Sequence, residues 1–376
     1  MSDTTGTQER LISADDHADL SHDAVKRFLD PRFHDAYEAG LAEFRAGMGA
    51  TASVASNNRW REQHPELDDG GPVGMGANRN HPAFGRPGHT DPVARLEDMD
   101  TDGVDASVTF CEVSAFRYLY LIKDGWQEAT RAFNLALQEF ASPAPHRLIV
   151  NPQIPIHDID AAVAEVEWAA TTGFKSIQMP VFPAELGLPD YWDSRYDPLW
   201  SAITAVDLPV TFHIGMNTAL EAIALRDPTP QKGIFVPQVA MSTGEAYGHL
   251  VLTGLLARFP ELRIVFVEPG IGWSAWWLFI ADDFVLRQGY SFPGLTELPS
   301  HYFRQNINLT FIDEPNVVRY AHERLGIENV LWSSDYPHPV SSWPKSRHVV
   351  DEMFANDSAA DRKLVVSGNA ERIWKI

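Results

Sequence analysis

Short apolar runs alternate along this chain with longer stretches in which apolar positions recur every three or four residues. Runs of the first kind predict strands and those of the second predict helices, and their alternation predicts a parallel sheet. The strand runs fall at residues 11–17, 106–110, 148–153, 176–179, 209–214, 263–267, 307–311 and 330–333. Helical patterns occupy 93–102, 126–140, 158–170 with Asp158 as cap, 198–205, 246–258, the Trp-rich stretch after Gly272, and 316–325, with further helices through Arg372. Eight strands with helices between them predict an α/β chain closed into a (β/α)8 TIM barrel, since no run reads as an unpaired edge. The 376 residues fit one such domain with insertions, and no repeat or linker divides it.

One connection breaks the pattern. Residues 20–92, between the first and second strands, are too long for an ordinary loop and rich in Gly, Pro, His and Asn in their second half. Loops after barrel strands lie on the catalytic face. The insertion is therefore expected to cover that C-terminal face or to form an oligomer contact, the alternative being poorly ordered surface.

Composition narrows the function classes. Hydrophobic residues make up 44% of the chain, enough for a large core, and the net charge is -21 without a run of Lys or Arg. That field repels phosphate backbones and anionic lipid, so neither nucleic acid nor membrane is an expected partner. The polar N-terminus lacks an apolar signal core, no window is apolar for the roughly 20 residues of a membrane span, and one cysteine excludes an intrachain disulfide. A cytoplasmic protein is expected, with Cys111 as a small buried residue.

Chemistry collects at the strand ends. The first strand ends Asp15-Asp16-His17, and period-two alternation points Asp15 and His17 into the barrel mouth with Asp16 turned away. The fifth ends in His213, the sixth runs into Glu268-Pro269-Gly270, and the eighth into Asp335-Tyr336-Pro337-His338. A charged or imidazole group beside apolar strands costs several kcal/mol unless paired or metal-bound. Singly, each has a plainer explanation: His213 a satisfied core histidine, Asp335 a turn residue, Glu268 a cap for the helix near Gly272, His338 an exposed loop histidine. Together, at matching barrel positions, Asp15, His17, His213, Glu268, Asp335 and His338 read as metal ligands, with Glu268 and Asp335 also as catalytic carboxylates. Six donors rich in anionic oxygen suit iron or manganese, and exceed what one tetrahedral ion needs, so two ions sharing a carboxylate are expected. One zinc or manganese is the alternative.

The same residues carry a resemblance. Residues 13–17 (SADDH), 94–100 (ARLEDMD) with 103–105 (GVD), 259–263 (FPELR), 268–273 (EPGIGW), 331–338, Trp343-Pro344 and 369–372 (NAER) make the chain similar to the amidohydrolase-2 branch of the amidohydrolase superfamily over nearly its whole length. The resemblance implies that Asp15, His17, His213 and Asp335 are metal ligands and that a homodimer is possible. The chain departs from the family pattern in having Asp-x-His rather than His-x-His at the first strand and Glu268 where relatives place a catalytic histidine. The fourth strand ends Gln178-Met179-Pro180 rather than in a carboxylated lysine, with Lys175 preceding it.

The carboxylate-rich set resembles one offshoot of that branch, the non-haem diiron monooxygenase of platensimycin and platencin biosynthesis. That resemblance implies two iron ions, O2, an electron donor, and hydroxylation of a coenzyme A-tethered diterpenoid acid, a CoA thioester. Trp273, Trp276, Trp277 and residues 116–120 would then wall the substrate, although aromatics at helical spacing are more often core. The balance tips toward this monooxygenase. The competing enzyme reading is an amidohydrolase-type hydrolase or a non-oxidative decarboxylase of a small carboxylic acid, with Glu268 or Asp335 as general base. A catalytically silent scaffold is the remaining alternative.

Overall fold

The computed structural model describes residues 9–49, 61–63, 65–66, 81–83, 85–111, 117–214 and 235–376. Among these, eight parallel strands form the barrel: β1 (Ile12–Ala18), β2 (Ala106–Cys111), β3 (Leu148–Val150), β4 (Ile177–Gln178), β5 (Val210–His213), β6 (Ile264–Val267), β7 (Ile307–Phe311) and β8 (Val330–Trp332). Ladders join β1 to β2 to β3, and β4 through β8 in order. The Gln153–Gln178 bridge joins the two arcs on one side. On the other, Asp335 N donates to Asp15 O and His17 N donates to Tyr336 O. The sheet is closed, as the apolar pattern requires.

The inner lining is Ile12, Ala14, Ala106, Val108, Phe110, Ile149, Val265, Val267 and Leu331, and Trp374 of the last helix packs among them. Its indole N–H donates to Ser176 Oγ. A larger core, including Phe212, Phe266, Leu309 and Trp332, fills the layer between strands and helices. Each such fully buried side chain stabilises the fold by roughly 1.5–3 kcal/mol. This double-sided burial explains why the strands read as continuous apolar runs rather than as alternating ones.

Boundaries differ from expectation where backbone chemistry intervenes. β3 stops before Pro152, which has no N–H for a ladder. The helix expected at 246–258 starts earlier, as Phe235–Leu252, and breaks at Gly254, whose φ of 79° is left-handed, before Leu255–Arg258. Asp158 caps its helix as expected, accepting from Ala161 N. In the insertion, the His34–Gly49 helix packs on the Arg117–Leu121 turn, and its Tyr37 hydroxyl donates to Tyr118. Residues 50–60, 64, 67–80 and 84 of the insertion, and Phe116, lie outside the described residues. Among the described residues no helix is long and apolar enough to cross a membrane.

Candidate metal centre

The ladder between β1 and β2 shifts register between Ser13 and Asp16. Asp15 and His17 fall in the mouth, and Asp16 serves a different purpose. Its carboxylate accepts from Ser13 Oγ (2.9 Å), Ser107 Oγ (2.5 Å), Ser334 Oγ (2.6 Å) and Tyr336 N (3.0 Å). Asp16 thus pins β1 to the segment after β8. Burial pushes its carboxyl up to about 6, although nearby Arg95 pulls the other way.

Ligand-type side chains from four strand ends meet here. Donor atoms of Asp15, His17, His213 and Glu268 lie within 4.8 Å of one another, and so do those of His17, Glu268, Asp335 and His338. The two groups share His17 and Glu268. Ligands about 2.1 Å from one ion lie up to about 4.2 Å apart, so the clusters are close to coordination size. His213 Nδ1 is 2.8 Å from the Ile214 carbonyl, which only accepts, so that nitrogen carries the proton and Nε2 points to Asp15 Oδ1 at 3.3 Å. His17 Nε2 lies 3.3 Å from Asp335 Oδ1, and its ring is 3.9 Å from that of His338. His338 Nδ1 is 2.9 Å from Asp335 Oδ1.

The oxygens fit a cation. Asp15 Oδ2 and both Asp335 oxygens are buried without a hydrogen bond. Asp335 Oδ1 has the imidazoles of His17 and His338 beside it, at 3.3 and 2.9 Å. Two of the five left-handed non-glycine residues described fall here, Glu268 (φ 68°) and Asp335 (φ 54°). The electrostatics split the carboxylates. Burial and the Asp335 charge push Glu268 up to about 8. Burial would raise Asp335, but His338 and His17 override it and hold that carboxyl down at about 2. His213 is raised to about 9: burial opposes its charge, and Asp15 beside it prevails.

Several plainer readings are resolved by this geometry. Glu268 does not cap the Gly272–Gln288 helix. That role belongs to Glu314, which accepts from Ile271 N (2.7 Å) and Gly272 N (2.6 Å). His338 stacks on His17 with only a quarter of its side chain exposed. Lys175 is exposed, while Gln178 is buried and accepts from Gln153 Nε2 at 2.7 Å. Two members of the expected aromatic wall point elsewhere: Trp276 is 60% exposed, and Trp277 packs on Gly244.

Sequence reasoning missed Arg95. It is fully buried, donates from Nη1 to His17 O (2.8 Å), lies 3.5 Å from Asp16 and sits over the Tyr336 ring at 4.4 Å. Asp98, one helical turn on, accepts from Tyr336 Oη and Arg86. The available signal was an arginine among the apolar positions of 93–102, which helical spacing turns toward the barrel.

The family model for amidohydrolases matches residues 79–376. Gamma-resorcylate decarboxylase of Rhizobium sp. (strain MTP-10005) is 24% identical over 308 residues, 75% of this chain and 86% of the relative. The structure of 5-carboxyvanillate decarboxylase from Sphingomonas paucimobilis superposes with a TM-score of 0.69 at 21% identity, covering 98% of this chain and 99% of the other. That of the Novosphingobium aromaticivorans 5-carboxyvanillate decarboxylase, complexed with manganese and 4-hydroxy-3-methoxy-5-nitrobenzoic acid, gives 0.68 at 19%, covering 98% and 97%. These relatives correct the expected activity. They are decarboxylases, so the monooxygenase, its oxidoreductase chemistry and its place in diterpenoid antibiotic biosynthesis are withdrawn. The metal named for the Novosphingobium enzyme is manganese, which does not support the expected pair of irons. The molecule bound in the Novosphingobium structure is a small carboxylic acid, and none of these names supports a CoA thioester, O2 or an electron donor.

Proposed function

The chain belongs to the amidohydrolase family, and on that premise we propose that it is a metal-dependent, non-oxidative decarboxylase of a small aromatic carboxylic acid. The observation that supports this most is the convergence of Asp15, His17, His213 and Glu268 donors within 4.8 Å in a chain whose relatives remove carboxyl groups. In this reading those four side chains hold a divalent ion, manganese or zinc. The ion supplies Lewis acidity and a fixed charge for the substrate's carboxylate.

Decarboxylation exchanges a C–CO2⁻ bond for C–H, so the electron pair left on carbon must receive one proton as CO2 departs. Asp335 and His338 are the pair suited to carry it. Asp335, its carboxyl held down at about 2, stays ionised near neutral pH and sets its charge 2.9 Å from His338 Nδ1. His338 is the cluster member nearest solvent, with 25% of its side chain exposed, and in the imidazolium form it offers a proton from the open side of the mouth. The insertion at residues 20–92 begins directly after β1, at the end of the strand that carries Asp15 and His17. We infer that its described part, the His34–Gly49 helix and the residues around it, belongs with the strands to a single barrel domain spanning the chain.

The test is anaerobic incubation of the manganese-loaded protein with γ-resorcylate and with 5-carboxyvanillate in D2O. The expected result is CO2 release with one deuterium on the vacated carbon. A protein that retains its metal but releases CO2 from no hydroxybenzoic acid tested would overturn the reading.

A further inference from the structure

Glu268 leaves β6 with a left-handed backbone (φ 68°), and Gly270 follows with another (φ 69°). A non-glycine residue keeps such a conformation only where its surroundings fix the chain. Here β7 and the turn after it do so. Glu268 N donates to Thr310 Oγ1 (2.6 Å) and Gly270 N to Thr310 O (3.2 Å). Ile271 N donates to Glu314 Oε2 (2.7 Å) and Gly272 N to Glu314 Oε1 (2.6 Å). Residue 269 is proline, so every N–H from Glu268 to Gly272 is bonded to Thr310 or Glu314. Among the described residues β7 gives no donor of its own to either metal cluster.

We propose that Glu314 is a positioning residue, which keeps Glu268 on the cation by filling the place Glu268 would otherwise take. The Gly272–Gln288 helix receives no side-chain cap from Ile271, the residue at its start. Its first N–H groups carry the partial positive charge of the helix end and attract a carboxylate. Glu268 stands three residues before Ile271 and four before Gly272, a spacing from which side chains fold back to cap helices. Glu314 arrives from the far side of β7 and gives each of the two N–H groups its own oxygen. The helix end is then satisfied, and the Glu268 donor lies within 4.8 Å of those of Asp15, His17 and His213 instead. Gly272 completes the fit. A methyl group there would stand 2.7 Å from Glu314 Oε1, so alanine at this helical position displaces the end of a flexible side chain rather than the backbone. The inference rests on Glu268 being a metal ligand and is independent of the reaction catalysed.

The test is a double-mutant cycle on Mn²⁺ affinity, with chelator-stripped proteins titrated at one fixed pH and the free ion read by electron paramagnetic resonance. Glu268→Ala should weaken binding. Glu314→Ala and Gly272→Ala should each weaken it by about 10–100-fold, the usual cost of losing an orienting partner. Glu314→Gln, which retains one acceptor oxygen, should cost less than Glu314→Ala. Added to Glu268→Ala, neither Glu314→Ala nor Gly272→Ala should weaken binding by more than about twofold, because no glutamate remains to be drawn onto the helix. Wild-type affinity in Glu314→Ala, or a loss from Glu314→Ala that is as large without Glu268 as with it, would overturn the proposal. Wild-type affinity in Glu268→Ala would overturn the ligand reading beneath it, and the proposal with it.

Discussion

The two halves of the barrel mouth bury polar groups in opposite ways. At the ends of β3 and β4 neutral groups bond to one another: Gln153 Nε2 donates to Gln178 Oε1, Asn134 Nδ2 to Gln153 O, and Gln153 N to Asn134 Oδ1. At the ends of β1, β5, β6 and β8 the groups are carboxylates and imidazoles. Three carboxylate oxygens there lack hydrogen bonds, and two residues hold left-handed backbone. The first arrangement leaves one neutral amide nitrogen, Gln178 Nε2, without a partner, and no carboxylate oxygen. The second stores a deficit that a bound cation corrects, and this contrast, rather than polarity as such, distinguishes a site from a polar core.

The sharpest way to break the contrast is to remove charge from one half. Asp15→Asn and His213→Ala should lose bound metal and reduce turnover by at least about 10³-fold, since a Lewis acid is worth several kcal/mol of barrier and about 1.4 kcal/mol is tenfold. Metal analysis alongside single-turnover kinetics checks this, and an active, metal-replete Asp15→Asn protein would place the centre elsewhere. Next in size are the residues behind the ligands. Arg95→Met or Asp16→Asn should weaken manganese affinity by about 10–100-fold, the usual cost of losing an orienting partner. Arg95→Lys should recover part of it.

How much of this was legible in the sequence depends on the kind of signal. The eight strands were readable because burial on both faces gives unbroken apolar runs, and Asp15, His17, His213, Glu268, Asp335 and His338 stood out because each interrupts or terminates one. The Asp16 anchor was hidden because simple alternation turns it away, whereas the register shift at Ser13 to Asp16 and contacts from the distant Ser334 and Tyr336 give it its role. Arg95 was hidden for the same reason: its partners lie 78 or more positions away. Glu314, which caps the helix after Glu268, is 42 residues from Gly272. Helix 235–252 was misplaced at both ends because Gly254 and the apolar stretch before it carry no period that marks a start.

Acid sharpens the comparison further. In the metal-free protein Glu268 titrates at about 8 and His213 at about 9, and both must be deprotonated to bind a cation. Manganese affinity should therefore fall as pH drops through 9 and then 8, by about tenfold per pH unit for each proton displaced. Titration in weak buffer should show proton release, and pH-independent affinity from 7 to 9 would contradict it. The smallest effect belongs to the neutral half. Gln178→Met should cost about 1 kcal/mol of stability for one lost hydrogen bond, with metal content unchanged, as denaturant melts and metal analysis would show.

The most direct measurement is a manganese titration of chelator-stripped protein followed by electron paramagnetic resonance. Wild type should quench the six-line signal of free Mn²⁺ tightly, and Asp15→Asn should leave it in solution. A free-ion signal persisting with wild type, or identical quenching by both proteins, would contradict a cation centre at the ends of β1, β5 and β6.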